Sequence, residues 1–480
     1  MSTTVVIDPV TRIEGHIKIR IAVDTVNGVQ QIVDAWASGT LFRGFERILL
    51  KRHPWDAPHI CERICGVCPI SQATASVFAL ENVNGVALPP NAVLLRNLIG
   101  AANFIDSHIL SFYHLSLPDF VQGPAMAPWQ PAWQSDKRVD STDGARFVQN
   151  YVAALAFRRK AQELGAVFSG RMPHPSCIVP GGITTTVRAD RVEKFRALLL
   201  EIQAFVQSVY LADVELLATH YPDYFAIGRG HGHLLAFGAF GTGERGLTDL
   251  ALKQGFARKG ALPETVRTRA IAEQVTYSWY AEGTDGEFDN LKPHDGVTNV
   301  AYPKTAAYSW LKAPRYHGLP CEVGPLARQT VAGIYTRGVS VMDRHLARVR
   351  EAVQLIGLML DWLEQLSVGG AVFVDKALTD GLGEGLTEAP RGALGHWLHV
   401  SSNLIGQYQV VTPTCWNASP RDAAGLRGPI EESLVGTPIR DVAEPVEALR
   451  VLHSFDPCTA CAVHVTRPDR LEALTVLQRV

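Results

Sequence analysis

Cysteine is scarce in this chain: eight residues in 480, too few for a disulfide scaffold. No run of 18 apolar residues occurs, so no membrane span is expected. The opening MSTTVVIDPV lacks the basic start and long apolar stretch of a secretory leader. Together these absences predict a cytoplasmic chain. Neither sign of charge dominates, with a formal net charge of -2. No basic stripe or RNA-type aromatic motif is present, so no nucleic-acid partner is expected. Internal repeats and low-complexity tracts are also missing.

What is there is a large apolar fraction, 47% against 19% charged. A chain of this size and composition predicts two or more domains, or one large multi-layer unit. HIKIRIAV at 16–23 alternates apolar and polar positions. Val26-Asn27-Gly28 then offers a tight turn before VQQIVDAWA, which predicts a β-hairpin with RIEGH (12–16) at its mouth. After residue 68 the pattern turns helical. Residues 92–115, 190–219 and 339–367 carry apolar residues at spacings of three and four on more than one face, as helices inside a bundle do. Gly- and Pro-rich stretches at 223–247 and 281–335 read as irregular or short-strand insertions. Residues 380–396 and 404–422 read as loops around a site.

Two CxxC pairs are the chemically loaded motifs. RICGVC carries Cys65 and Cys68; DPCTACAVH at 456–464 carries Cys458 and Cys461. Thiolates favour soft or borderline metals such as zinc, nickel, copper(I) and iron. Structural zinc pairs usually sit within a few tens of residues, because they close a small loop. Here almost the whole chain lies between the pairs, so the fold must be built before such a site can assemble. Spacing alone leaves four readings: two unrelated pairs, a structural zinc site, an iron–sulfur cluster or a catalytic metal centre.

RIEGH at 12–16, FRGFE at 42–46, RICGVC at 63–68, EAPRGAL at 388–394, PTCWNASPRD at 413–422 and DPCTACAVH at 456–464 occur in that order. As an ordered set they resemble the large subunit of a [NiFe]-hydrogenase. The resemblance implies an α+β, mostly α fold with a central bundle of long helices and small peripheral β-sheets. It implies one unit over 1–480: an N-terminal β region (1–60), a helical core (61–220), an irregular insertion (221–335), and a second helical core with active-site loops (336–464). Residues 465–480 would be a cleavable tail, removed by a maturation protease.

Splitting H2 heterolytically needs a Lewis acid for the hydride and a base for the proton. By the resemblance, Cys65 and Cys458 are terminal nickel ligands, and Cys68 and Cys461 bridge nickel and iron. The iron carries carbon monoxide and cyanide. Cys458 is a candidate first proton acceptor and Glu14 the proton relay. Outside its motif, Glu14 would read as a capping or salt-bridged carboxylate. Arg391 and Thr414 would bond the cyanides, and Asp456 would orient Arg391. Glu46, His464 and the carbonyl of Val410 would hold magnesium, or iron. His231 and His233 in GRGHGH match no family motif and read as structural. GAFGTGERG at 238–246 lacks the ending of a phosphate loop.

Two positions depart from the uptake pattern. Gln72 stands where uptake members usually have His, and Ser107, beside Asp106, where they usually have Asp. Both departures resemble the H2-sensing, or regulatory, hydrogenases. The chain is therefore expected to activate H2 at low turnover for signalling. An iron–sulfur small subunit would be its partner, because the remaining cysteines, Cys61, Cys177, Cys321 and Cys415, are scattered. A histidine kinase would follow through that subunit. An uptake enzyme is the alternative, and a structural four-cysteine zinc protein the alternative of another class. A respiratory-complex homologue would share the fold but lack the four cysteines.

Overall fold

The computed structural model describes residues 2–130, 133–243, 246–258, 263–281 and 292–459. Three antiparallel strands open it: β1 (Thr3–Ile7), β2 (Ile17–Val26) and β3 (Val29–Gly39). The alternation noted above puts Ile17, Ile19, Ile21 and Val23 on the buried face. Asn27 and Gly28 both take positive φ, 51° and 81°, as a two-residue hairpin turn with the strands' own twist requires.

Long helices form the centre. α1 (Pro69–Asn84) starts directly after Cys68, with Pro at its first position. α2 (Pro90–Ile109) is buried along nearly its whole length and runs into a π-helical segment, Leu110–Ser116. α3 (Ser141–Ser169) is capped by Asp140, which accepts from the amides of Thr142 and Asp143. α4 (Ala189–Phe205) passes through a second π segment into α5 (Leu211–His220). α6 (Val341–Gln365) is capped by Ser340. The three helices expected from the sequence are present; α3 was not anticipated. By length and composition Ala189–His220 could cross a membrane, but it packs against α3 and α6 inside the fold.

The stretch between 221 and 335 contains short paired strands, Leu234–Ala236 with Gly255–Ala257 and Ile271–Gln274 with Ala313–Tyr316. It also holds an unanticipated helix, Pro325–Val331. Residues 380–411 differ more from expectation. They are not loops but a three-stranded antiparallel sheet: β4 (Gly381–Ala389), β5 (Gly392–Ser401) and β6 (Leu404–Val411). The glycines that suggested loops serve packing instead. α1 lies on β4 so closely that a Cβ on Gly385 would meet Ala75 O at 2.0 Å and Ala79 N at 2.5 Å. Gly385→Ala should therefore cost about 1–3 kcal/mol, read as a lower urea midpoint; unchanged stability would contradict this packing. A last helix, α7 (Val446–Ser454), leads to the second cysteine motif. The expected architecture, long central helices with small peripheral sheets, is the one observed.

Candidate metal centre

Each cysteine is placed by a different element. Cys65 is extended, after a short turn at Glu62–Ile64, and Cys68 is the residue that precedes α1. This folds the CxxC loop back on itself. Cys65 Sγ accepts from Cys68 N–H at 3.0 Å and from Val67 N–H at 3.4 Å. Two amide donors favour an anionic sulfur. Cys458 arrives from α7 and is held by Thr414, whose Oγ1 accepts the Cys458 N–H at 2.9 Å. Thr414 keeps its own proton to donate elsewhere.

The two ends of the chain are tied together beside it. Glu14 and Cys458 form a parallel bridge, and Thr459 N–H donates to Glu14 O at 2.8 Å. A second link is buried nearby. Asp119 pairs with Arg12 and with His453 Nδ1, while His453 Nε2 lies 3.0 Å from Thr11 O. The RIEGH stretch is thus fastened to α7 just before Glu14, and to the segment after α7 at Glu14 itself.

The sulfurs of Cys65, Cys68 and Cys458 all lie within 4.8 Å of one another and are buried. Cys65 and Cys458 are 3.4 Å apart, well beyond a disulfide bond of about 2.05 Å. Tetrahedral thiolate sites with bonds of about 2.3 Å have sulfur–sulfur edges of roughly 3.8 Å. The spacing therefore fits a shared metal. Cys461 and His464, and residues 465–480, lie outside the described residues.

Arg391 sits in the two-residue turn between β4 and β5. It is buried, and its Nε and Nη2 reach Asp456 O at 2.9 Å and Asp456 Oδ1 at 3.0 Å. Burial opposes its charge, but Asp456 and the three cysteine sulfurs hold its guanidinium well above the usual arginine range. Asp456, raised by burial, takes a positive φ of 55° to make this contact. Nη1 of Arg391 is buried with no partner among the described residues. A buried donor left so costs about 1–3 kcal/mol, which suits a place prepared for an anionic acceptor. Glu14 completes the rim. Burial raises its carboxyl above the usual range, and the Cys65 sulfur adds to this.

Other buried groups fix the turn that presents Arg391, and no motif announced them. Arg328 bonds Glu351 at 2.6 and 2.8 Å and Glu388 at 2.6 Å. It also donates to the carbonyls of Ala389 and Pro390 at 3.1 and 2.9 Å. Gly392, at φ 138°, allows Val323 and Gly324 to approach; a Cβ there would meet Gly324 N at 2.7 Å.

Gln72 lies one turn into α1, wholly buried. Ser107 is also buried, its hydroxyl without a partner among the described residues. Asp106 instead binds Arg158 and Gln162 of α3, each at 3.0 Å. Glu46 is separate from the sulfurs. Its Oε1 accepts from Val410 N–H at 2.9 Å, its Oε2 from the Thr298 hydroxyl, and Lys312 Nζ lies 3.7 Å away. His231 and His233 bond backbone carbonyls of Arg427 and Pro320, which is a structural role. Cys61, Cys177, Cys321 and Cys415 are all buried, and burial raises each thiol. Among the described residues they form no second sulfur cluster.

A nickel-dependent hydrogenase family model matches residues 43–132, 120–338 and 334–464, and a HoxL-like model matches 4–32. The periplasmic [NiFeSe] hydrogenase large subunit of Desulfomicrobium baculatum is 39% identical, covering 96% of this chain and 95% of its own. The uptake hydrogenase large subunit of Rhizobium leguminosarum bv. viciae is 31% identical over 99% of this chain and 97% of its own. The Ni-Fe-Se hydrogenase from D. vulgaris Hildenborough, in its reduced state, superposes with a TM-score of 0.92. It is 40% identical and covers 97% of this chain and 100% of that one.

These relatives correct two expectations. They are periplasmic and uptake enzymes, so nearness to the H2-sensing enzymes is not supported. The cytoplasmic placement is overturned by the periplasmic relative. Buried thiols need no reducing compartment. The described cysteines are all buried. With Cys65, Cys68 and Cys458 meeting at one buried site and relatives aligned over nearly the whole chain, the chain belongs to the nickel-dependent hydrogenase family, as a large subunit.

Proposed function

We propose that this chain activates H2 at a nickel–iron centre held by Cys65, Cys68, Cys458 and Cys461. The observation that carries this is the buried triangle of three sulfurs, with Glu14 and an Arg391 nitrogen that has no partner among the described residues around it. When bound, the metal pair supplies the Lewis acidity for heterolytic splitting. By the family resemblance, Cys65 and Cys458 would be the terminal nickel ligands, and Cys68 and Cys461 the sulfurs shared with an iron that would bear carbon monoxide and cyanide. Arg391 Nη1 and the Thr414 hydroxyl would donate to the cyanides, with Asp456 aiming Arg391. The Cys458 sulfur accepts the first proton, and Glu14, bridged to it through the backbone, passes it on. Glu46, the Val410 carbonyl and His464 would hold a magnesium or iron ion that would tie down the C-terminal segment. Lys312 already offsets the Glu46 charge, so no proton or electron step is assigned there. Residues 465–480 are a tail that a maturation protease removes.

Electrons leave through an iron–sulfur small subunit, which the scattered disposition of the other cysteines supports. H2-driven dye reduction by the complex of both subunits tests this reading. No reduction by a fully nickel-loaded complex would contradict it.

A second reading, H2 sensing with a histidine kinase as the downstream partner, is favoured by Gln72 and Ser107. Glutamine donates hydrogen bonds but carries no proton, and Ser107 offers no carboxylate. Gln72→His should then raise the H2 oxidation rate several-fold. A rate equal to the unmodified enzyme's would count against sensing and leave an uptake enzyme.

A further inference from the structure

Two arginines of α6, one turn apart, meet the end of α7: Arg344 and Arg348, both buried. A helix that runs out leaves its last carbonyls without intrahelical donors, and cations there also suit its dipole. Arg348 Nη2 donates to Ser454 O at 2.9 Å. The guanidinium carbon of Arg344 lies 3.7 Å from the centre of the Phe455 ring, and its Nη1 donates to Ser454 Oγ at 3.4 Å. Asp456 follows at positive φ, and its N–H returns to His453 O at 3.0 Å. The two arginines therefore grip the residues from which Asp456 departs.

They differ in charge balance. Arg344 is clasped by Glu322 through Nε and Nη2, each at 2.8 Å. Arg348 makes its bonds to the carbonyls of Ser454 and Arg344, the second at 3.5 Å, and its Nε has no partner among the described residues. Glu351, three residues on, is taken by Arg328 and His108. A buried guanidinium without a close counter-charge costs stability, so folding alone does not account for Arg348. Burial works against its charge, and Asp456 is the first group that supports it; Asp456 is supported in turn by Arg391 and then by Arg348. Asp456 thus touches one guanidinium, Arg391, and lies within the field of the other.

We infer that Arg348 is a positioning residue for the metal site. It pins the exit of α7 at Ser454 and holds Asp456 where Arg391 is clasped, so that Arg391 Nη1 stays directed at the cluster. This rests on reading Arg391 as a donor to an iron-bound cyanide. Arg391 supplies the contact, and Arg348 fixes the place from which it is aimed.

The test uses the complex of both subunits, loaded with metal, and reads the infrared bands of the iron-bound ligands, nickel content and the unfolding midpoint. Arg348→Met keeps the length and removes the guanidinium. It should retain nickel, move the cyanide bands and lower the H2 oxidation rate several-fold. In an Arg391→Lys background the same substitution should move no band further, because Arg348 acts only through the clasp of Arg391 on Asp456. A lower unfolding midpoint with unmoved bands would make Arg348 a structural arginine and overturn the inference, as would a shift of equal size in the Arg391→Lys background. Should Arg348→Met fail to load nickel, Arg348→Gln is read instead. It keeps a donor for Ser454 O and removes the charge, so the cyanide bands should still move, and unmoved bands there would overturn the inference. Cyanide bands missing from the unmodified complex would overturn the metal reading and this inference with it, whereas bands present but indifferent to residue 348 would overturn this inference alone.

Discussion

Glu14→Gln is expected to lower H2 turnover by about 10²–10⁴-fold, the usual worth of a positioned proton-transfer group, with nickel and iron retained. The substitution keeps shape and backbone. The Thr459 N–H bond to residue 14 and the bridge to Cys458 involve main-chain atoms only. An amide oxygen can still accept from Gly66, which faces this side chain. What is removed is the one group beside Cys458 on this strand able to take and release a proton. Burial already holds its carboxyl above the usual range, which favours the protonated form. Steady-state oxidation rate and nickel content, measured on the same preparation, check this. Full turnover in a metal-replete Glu14→Gln enzyme would remove Glu14 from the proton path.

Arg391→Lys should cost about 10²–10³-fold in rate, comparable to deleting a preorganised donor at a site of developing charge, although positive charge is kept. The guanidinium does two things at once: it clasps Asp456 through Nε and Nη2 and leaves Nη1 over the sulfur site. A lysine ammonium is a single point donor on a flexible stem and cannot satisfy both. It would settle on Asp456 or face the metals. Rate and infrared band positions together check this. A lysine variant of undiminished rate and unmoved bands would show that charge alone suffices.

The parts legible in the sequence are those where local chemistry dictates local structure. Asn27-Gly28 demanded a hairpin turn, and the apolar spacing of 92–115 and 339–367 demanded buried helices. The cysteine motifs pointed to four sulfurs, of which Cys65, Cys68 and Cys458 meet in the structure and Cys461 lies outside the described residues. α3 escaped because its apolar residues follow no single stripe and much of its surface is exposed. The sheet of β4–β6 escaped because Gly381, Gly383 and Gly385 look like loop residues until α1 is laid on them. Asp106 could not be placed without α3, which supplies Arg158 and Gln162. Arg328 carries no motif; helix packing brings it to the turn that presents Arg391.

Metal analysis with infrared spectroscopy on the purified complex tests the central claim most directly. The expected result is one nickel and one iron at the cysteine site, with carbon monoxide and cyanide bands. Zinc alone, with no such bands under full maturation conditions, would contradict it. That result would return the four cysteines to a structural role and withdraw the functions proposed for Glu14 and Arg391.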